Sequence, residues 1–468
     1  MGSPSASALS TFAKSLNGSM LLASDAGYDE ARGVWNGDID RRPAVIAACT
    51  TSDDVAASIR FGREEGLEIS VRGGGHSYAG HAVGNDGLMI NLSAMREVNV
   101  DAGARRARCG GGATWADLDG ATQEHGLAVP GGVISHTGVA GLSLGGGIGW
   151  LSRKHGLSCD NLVSATVVTA DGTVVNASAG ENADLHWALR GGGGNFGVVT
   201  EFEFALHEVG PIVNLALFFY SVDTGAEALH HIRASVAALP HGVGAQVIGL
   251  NAPPAPFVPE EFHFAPGYGI AVVGWGSPEE HAAVIEPIRK NLPALFEFVT
   301  PIPYAALQQM LDDSAPWGIL GYEKACYLDE LTDGAIAVIA DQLPRKSSPM
   351  SIMPVFPMGG AYHDVADEDT AFGGSRASKW LVNVAATAPT PELLAADRAW
   401  VRAFWEALQP YASGSGSYVN FIADSEDEER VRASYGAAKY DRLARIKAQY
   451  DPDNVFHKNA NIKPAASV

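Results

Sequence analysis

Glycine is concentrated in three short blocks, which constrain the fold more than any other feature of the sequence. They read R-G-G-G-H-S-Y at 72–78, G-L-S-L-G-G-G-I-G at 141–149 and G-G-G-G-N-F-G at 191–197. Because glycine has no Cβ, the main chain can come close to a ligand and turn several N–H groups toward it. A planar cofactor that carries phosphate groups needs such a cradle. The blocks therefore predict a cofactor enzyme.

Length and charge limit the class of protein. With 468 residues the chain exceeds the size of one compact core, so we expect at least two domains. The formal net charge of −21 repels phosphate backbones and anionic lipids, which argues against nucleic acid and membrane surfaces as partners. We expect a small-molecule substrate, and a monomer or homodimer.

Cysteine usage and the N-terminal segment bear on the compartment. The four cysteines, Cys49, Cys109, Cys159 and Cys326, show neither a disulfide framework nor zinc-ligand spacing, so no metal site is expected. No apolar run approaches the roughly 20 residues that span a bilayer. Residues 1–25 lack the charged start and long apolar stretch of a secretion signal. These features predict a cytoplasmic protein.

Strands and helices are intermixed in the first part of the chain, which predicts an α+β fold. Thr51 or Ser52 caps a predicted helix that runs to residue 65, and a strand over 67–72 leads directly into the first glycine block. Asp-Gly at 171–172 predicts a hairpin between two strands.

The middle of the chain has a different sequence pattern. From about residue 210 it contains proline-rich connections and strand-like runs such as 270–273 and 380–384, which suggests a separate substrate-facing domain. The Gly-Ser tract at 414–417 marks the return of the chain, and a helix over 438–449 follows.

Six motifs in order resemble the berberine-bridge-enzyme-like branch of the vanillyl-alcohol-oxidase/p-cresol-methylhydroxylase (PCMH) flavoproteins. They are R-G-G-G-H-S-Y, P-G-G at 130–132, L-G-G-G-I-G-W at 144–150, G-L-S-C-D-N at 156–161, W-A-L-R-G-G-G-G-N-F-G-V-V-T at 187–200 and Y-D-P-x-N-x-F at 450–456.

The resemblance implies a two-subdomain PCMH-type FAD-binding domain at 1–209, with its core at about 39–209. A substrate domain with an antiparallel sheet covered by helices follows at 210–415, and residues 416–468 return to the FAD domain. The resemblance also implies bicovalent FAD, attached to His76 and Cys159. The implied cofactor-binding residues are Arg72, Gly73, Gly74, Gly75, His76, Ser77, Gly80, Pro130, Gly131, Gly132, Gly138, Gly141, Gly145, Gly146, Gly149, His155, Cys159, Asp160, Asn161, Gly197, Val198, Val199, Asn459 and Asn461.

Tyr418, in a Y-x-N motif, is by resemblance the leading candidate for the base that takes the substrate proton, and Asn420 would position the flavin or the tyrosine. Tyr78 and Tyr362 are secondary candidates, and His363 is a further one. Many relatives have a second tyrosine followed by Pro-Asp. This chain instead reads F-I-A-D at 421–424, which leaves any role of Asp424 open.

The function implied is an FAD-dependent oxidase. It would remove a hydride from an alcohol carbon of a sugar or bulky natural product, and O₂ would reoxidise the flavin and give H₂O₂. No nicotinamide-binding fingerprint accompanies the glycine blocks. Two alternatives stay open: an amine oxidase of the 6-hydroxynicotine-oxidase type, and a flavin- and ligand-binding protein without catalysis.

Overall fold

The structure is a computed structural model that describes residues 4–422 and 428–466. The α-helices are α1 (Ala6–Ser15), α2 (Tyr28–Arg32), α3 (Ser52–Glu64), α4 (Trp115–Gln123), α5 (Val139–Gly145), α6 (Ser152–His155), α7 (Ala183–Leu189), α8 (Ala226–Ala238), α9 (Pro278–Asn291), α10 (Tyr304–Gln309), α11 (Asp333–Gln342), α12 (Ala361–Asp364), α13 (Pro391–Leu408), α14 (Glu428–Tyr435) and α15 (Ala437–Tyr450). The strands are β1 (Ser19–Leu21), β2 (Val45–Ala48), β3 (Ile69–Arg72), β4 (Leu88–Asn91), β5 (Val98–Asp101), β6 (Arg106–Gly110), β7 (Leu127–Ala128), β8 (Leu162–Val168), β9 (Val174–Ser178), β10 (Val198–Ala205), β11 (His207–Glu208), β12 (Ile212–Ser221), β13 (Gly244–Asn251), β14 (Pro266–Gly274), β15 (Phe296–Pro303), β16 (Leu320–Leu328), β17 (Met353–Pro357) and β18 (Trp380–Ala388).

The first sheet has the order β1-β2-β4-β3, with β2, β4 and β3 parallel. Helix α3 packs on it through Val55 and Ile59. The predicted helix cap is confirmed, since the Thr51 hydroxyl accepts a hydrogen bond from the Asp54 amide at 3.2 Å. Strand β3 ends at Arg72, so the first glycine block begins where the parallel strand stops.

The second sheet is antiparallel, with the order β5-β6-β10-β8-β9. Its predicted hairpin is confirmed, because β8 and β9 pair up to Val168↔Val174 and Gly172 adopts a positive φ of 79° at the turn. Helices α4, α5 and α7 bury their apolar side chains against it, together with the late helix α15. The end of the chain therefore returns to the core of this sheet, as the Gly-Ser tract predicted.

The third sheet has seven antiparallel strands in the order β15-β12-β14-β13-β17-β18-β16. One face carries residues such as Val247, Val355 and Val382, which pack against helices α8, α9, α11 and α13. Since successive side chains in a strand point to opposite faces, the intervening residues line a cavity instead. The predicted α+β class, with an antiparallel sheet covered by helices, is confirmed.

The four-stranded and five-stranded sheets face the seven-stranded sheet across this cavity.

We keep 1–209, 210–415 and 416–468 as the proposed limits of the FAD domain, the substrate domain and the returning segment. Among the helices at 4–422 and 428–466, each is too short or too polar to cross a membrane.

Candidate active site

A cavity of about 970 Å³ runs between the glycine blocks and the inner face of the seven-stranded sheet. One half is lined by the glycine loop that follows β3, the third glycine block and residues 458–460. The other half is lined by β13, β17, β18 and β16. A ligand held by the glycine blocks would therefore face the sheet of the other domain.

The glycine half fits an extended cofactor. Gly141 and Gly194 line the cavity, and a Cβ added at either would meet no atom within 4 Å, so it would occupy the space that a ligand fills. The Asn459 side-chain oxygen and the Tyr435 hydroxyl are buried at the same wall without a hydrogen-bond partner in the structure. Because buried polar atoms are almost always paired, these two groups suit a ligand with polar atoms, such as FAD.

His76 lies on the cavity wall at the end of the first glycine block. Its ring stacks on Trp35, with centroids 5.1 Å apart and planes 18° from parallel, and its Nε2 is 2.7 Å from Nδ1 of His136. Removal from water and the neighbouring His136 lower the pKa of His76 to about 3. The imidazole is therefore neutral at physiological pH, and a neutral imidazole is the nucleophilic form.

Cys159 does not lie on the cavity wall. Its side chain is fully buried, in an apolar cluster with Leu157, Phe372 and Tyr418, and its Sγ is 3.7 Å from a carboxylate oxygen of Asp160. Burial raises the pKa of the thiol well above its usual range, whereas the thiolate is the reactive form. The turn over 158–161 directs the thiol into the core, so this geometry lends no support to the second attachment of FAD, which stays a prediction.

Tyr418 is likewise buried behind the wall. Its hydroxyl accepts hydrogen bonds from the Gly147 amide and from Nδ2 of Asn420, both at 2.8 Å, and its side chain is 1% exposed. Burial raises the pKa of this phenol, so the hydroxyl carries its proton at neutral pH. Asn420 and Phe421 line the cavity instead. The hydroxyl ties the returning segment to the second glycine block, and the role of Tyr418 as base stays a prediction.

Of the secondary candidates for the base, Tyr78 lies on the cavity wall, whereas Tyr362 and His363 lie outside the cavity. Tyr78 lines the cavity with its ring 4.8 Å from that of Trp35, and burial together with Glu323 raises its pKa. Tyr362 is buried outside the cavity, where its hydroxyl donates to the Ser375 carbonyl at 2.7 Å. His363 is 3.1 Å from the Ser378 carbonyl, also outside the cavity. Asp424 lies outside the described residues.

The predicted cofactor-binding residues also fall into two groups, those that line the cavity and those that do not. Those on the cavity wall are Gly73, Gly74, Gly75, His76, Ser77, Gly132, Gly138, Gly141, Gly197, Val198, Val199 and Asn459. Those set behind it are Arg72, Gly80, Pro130, Gly131, Gly145, Gly146, Gly149, His155, Cys159, Asp160, Asn161 and Asn461.

Several of the residues behind the wall have a packing role. A Cβ on Gly131 would come within 2.5 Å of the Trp115 ring, and the rings of His155 and His207 stack at 3.8 Å. Asp160 forms a buried ion pair with Arg376 at 2.6 Å, which joins the turn at 158–161 to the substrate domain. These motif residues support the wall and do not line it.

Sequence reasoning missed a polar group on the inner face of the sheet. Glu323 on β16 and Asn383 on β18 line the cavity, and the Asn383 amide donates to Glu323 Oε2 at 2.8 Å. Burial raises the pKa of Glu323 to about 8. The available signal was a glutamate within the otherwise largely apolar run L-G-Y-E-K-A-C-Y-L.

The fold and the glycine-lined cavity define an FAD-binding oxidoreductase, and comparisons with known proteins agree. Residues 43–178 match the family described as FAD binding domain, and residues 417–463 match the family described as berberine and berberine like. The (R)-6-hydroxynicotine oxidase of Paenarthrobacter nicotinovorans is 31% identical over 97% of this chain and 98% of its own length.

Solved structures give the same result. The 6-hydroxy-D-nicotine oxidase from Arthrobacter nicotinovorans superposes with a TM-score of 0.83 at 29% identity, over 96% of this chain and 99% of that one. The glucooligosaccharide oxidase from Acremonium strictum, which carries a 6-S-cysteinyl, 8α-N1-histidyl FAD, gives a TM-score of 0.85 at 25% identity, over 98% and 100%. This chain belongs to the berberine-bridge-enzyme-like family of FAD-linked oxidoreductases.

Proposed function

We propose that the protein is an FAD-linked oxidase that oxidises a carbon bearing a hydroxyl or an amino group, on a bulky, largely apolar small molecule, with O₂ as the final acceptor. The observation that carries this proposal is the cavity that joins His76 and the glycine blocks to buried polar side chains on a largely apolar sheet face. When bound there, FAD supplies a two-electron acceptor for the hydride of the substrate.

The residues of the chain position both reactants. The wall at Gly141 and Gly194 leaves room for the cofactor, and His76 would hold it at one end. Asn420 reaches the cavity from the returning segment, with its amide fixed by the Leu142 carbonyl at 3.1 Å and by the Tyr418 hydroxyl. A cofactor held in this way faces the sheet, and the substrate would bind between them.

The walls of the substrate half favour an apolar molecule over a free sugar. Ile248, Leu250, Ile352 and Phe356 line this half, and they offer large apolar contact area but no hydrogen bonds from their side chains. An amine is a second candidate substrate. It is favoured by Glu323, whose Oε1 is buried in the wall without a hydrogen-bond partner in the structure.

We propose a covalent link between FAD and His76 alone. The neutral imidazole on the cavity wall supports this link, whereas the buried, protonated thiol of Cys159 gives no support to a second one. The mass of the denatured wild-type protein should include FAD, and Cys159→Ala should keep the same added mass. His76→Ala should lose it. Retention of FAD in His76→Ala, or a changed flavin spectrum in Cys159→Ala, would show that the thiol participates.

Anaerobic bleaching of the yellow flavin tests the proposed activity. Sugars, aromatic secondary alcohols and cyclic amines are added in turn to the purified holoenzyme, and peroxide is then measured after air is admitted. We expect bleaching by apolar alcohols or amines, followed by one peroxide for each flavin reoxidised. If none of these compounds bleaches the flavin, the proposal is wrong and a non-catalytic binding protein is the better description.

A further inference from the structure

Three acceptor atoms on the inner face of the seven-stranded sheet lack hydrogen-bond partners in the structure. They are Oε1 of Glu323, Oδ1 of Asn383 and Oε1 of Gln246, and all three residues line the cavity. Their side chains are at least nine-tenths buried, with relative exposures of 2%, 4% and 6%. Since buried polar atoms are almost always paired, the arrangement suits a ligand that brings hydrogen-bond donors.

Strand register places two of these acceptors together. Glu323 is opposite Ala385 and Asn383 is opposite Ala325, so the two polar residues are diagonal neighbours on one face of the β16–β18 pair. The amide of Asn383 is used by Glu323 Oε2, which leaves both remaining oxygens as acceptors. Gln246 on β13 is separated from β18 by β17, a distance of about 10 Å for two strand spacings. It therefore suits a second polar group of the same ligand.

The charges around Glu323 favour a cation. Among the described residues that line the cavity, Lys458 is the one lysine or arginine, and it lies in the cofactor half, 3.3 Å from Glu68. Tyr78 faces Glu323 from the FAD domain. Lys324, the next residue in the strand, has its Nζ 4.5 Å from the Trp405 ring centroid instead. In the part of the chain that the structure describes, the substrate half of the cavity wall therefore has no lysine or arginine beside Glu323 and Asn383.

We propose that Glu323 is a catalytic residue that binds a protonated amine substrate together with Asn383 and accepts its proton. This inference rests on the proposed FAD-linked oxidase function and narrows its substrate class to amines. The ammonium proton passes to Glu323 Oε1, and the freed nitrogen lone pair forms a C=N bond as the adjacent C–H bond breaks. The electron pair of that C–H bond leaves with the hydrogen as hydride to the flavin, so the substrate becomes an iminium ion. O₂ later takes the two electrons, with two protons, to give H₂O₂.

The pKa of Glu323, raised to about 8 by burial, supports this role. A base must be deprotonated to act, so flavin reduction at low substrate concentration should rise with pH and level off above about pH 8. Glu323→Gln should remove this rise of the rate with pH and slow flavin reduction by about 10²- to 10⁴-fold. Glu323→Asp should retain part of the rate and the pH dependence.

Binding to the oxidised holoenzyme gives a readout that does not depend on turnover. The probes are 1-phenylethylamine and 1-phenylethanol, which differ only in the nitrogen or oxygen, and their binding is followed by the flavin absorption spectrum. In the wild type the amine should bind more tightly than the alcohol above about pH 8. Glu323→Gln should weaken amine binding by at least about 30-fold and change alcohol binding by only a few-fold.

Infrared difference spectra test whether Glu323 is the carboxyl whose proton is lost through about pH 8. The wild-type spectrum minus that of Glu323→Gln should contain one protonated-carboxyl band that disappears through about pH 8. The matched control is Glu330→Gln, since Glu330 is an exposed carboxylate just beyond the same strand, paired with Lys379. It should leave rate, binding and spectrum unchanged.

The outcomes separate this inference from the proposed function. If neither amines nor alcohols reduce the wild-type flavin, the oxidase function itself fails. If alcohols reduce it and amines do not, or if a folded, flavinylated Glu323→Gln reacts and binds like the wild type, the oxidase function stands and the role of Glu323 is overturned. Equal binding of the two probes by the wild type would also overturn it.

Discussion

Lys447 on α15 is a fully buried cation, and its loss should destabilise the FAD domain strongly. Its ammonium donates hydrogen bonds to the Asn195 carbonyl at 2.9 Å, the Phe456 carbonyl at 2.8 Å and Asp451 Oδ2 at 2.9 Å. The side chains of Lys447 and Asp451 are both 0% exposed. The ammonium therefore joins the third glycine block, the end of α15 and the segment that leads to the cavity-lining Asn459.

Replacing Lys447 leaves the buried Asp451 carboxylate without its cation, with only the amides of Val455 and Phe456 still donating to it. Breaking a buried ion pair by removing one partner costs about 3–5 kcal/mol, because a charge then stays in a low-dielectric interior. We expect Lys447→Met to lower the free energy of unfolding by about this amount. Lys447→Met/Asp451→Asn should lose less than the sum of the two single variants, since no unpaired charge is left.

Urea unfolding of the holoenzyme, followed by flavin fluorescence and circular dichroism, measures this effect. The control is Lys463→Met, which removes an exposed lysine paired with Glu428 near the same helix. Exposed pairs contribute little, so the control should unfold like the wild type. A Lys447→Met protein that unfolds at the wild-type urea concentration would refute the reasoning, as would strict additivity in the double variant.

Two further predictions concern buried polar groups. Tyr418→Phe removes the hydroxyl that accepts from the Gly147 backbone amide and from one side-chain N–H of Asn420. It should therefore destabilise the protein by about 1–3 kcal/mol. Flavin reduction in this variant should stay within a few-fold of the wild type, and a loss of 10²-fold or more in stopped-flow measurements would restore Tyr418 as the base. Burial raises the pKa of Asp119 from 3.8 to about 7, while Gln308 donates to its Oδ2 at 2.9 Å. Between these values the folded chain holds a proton that the unfolded chain releases, so this group makes stability fall as pH rises. Asp119→Asn should flatten that part of the profile of urea midpoint against pH, and an unchanged profile would contradict the shift.

Local signals in the sequence predicted the secondary structure near the cofactor half well. The helix cap at Thr51, the hairpin at Gly172 and the strand that ends at Arg72 each depend on a few adjacent residues. The same locality placed His76 on the cavity wall, because its position follows from a strand and three glycines. These features can be predicted without knowing the rest of the fold.

Side-chain direction in irregular segments could not be predicted in this way. Cys159 and Tyr418 lie in motifs that reach the cofactor region, but a short 3₁₀ turn and an extended segment direct both side chains into the core. A shift of one position separates wall from core, as Val419 and Tyr418 show. Glu323 was missed for a different reason. Its neighbour Asn383 is 60 residues away in sequence, and only the register of the completed sheet brings the two together.

The FAD domain is discontinuous in sequence, and this has a consequence for how the protein is made. Helix α15 and Ile462 complete the core that also contains α4, α5 and α7. A ribosome must therefore synthesise nearly the whole polypeptide before this core can close. We therefore expect the cofactor to be loaded late in biogenesis, and a prematurely terminated chain that lacks α15 to take up no flavin.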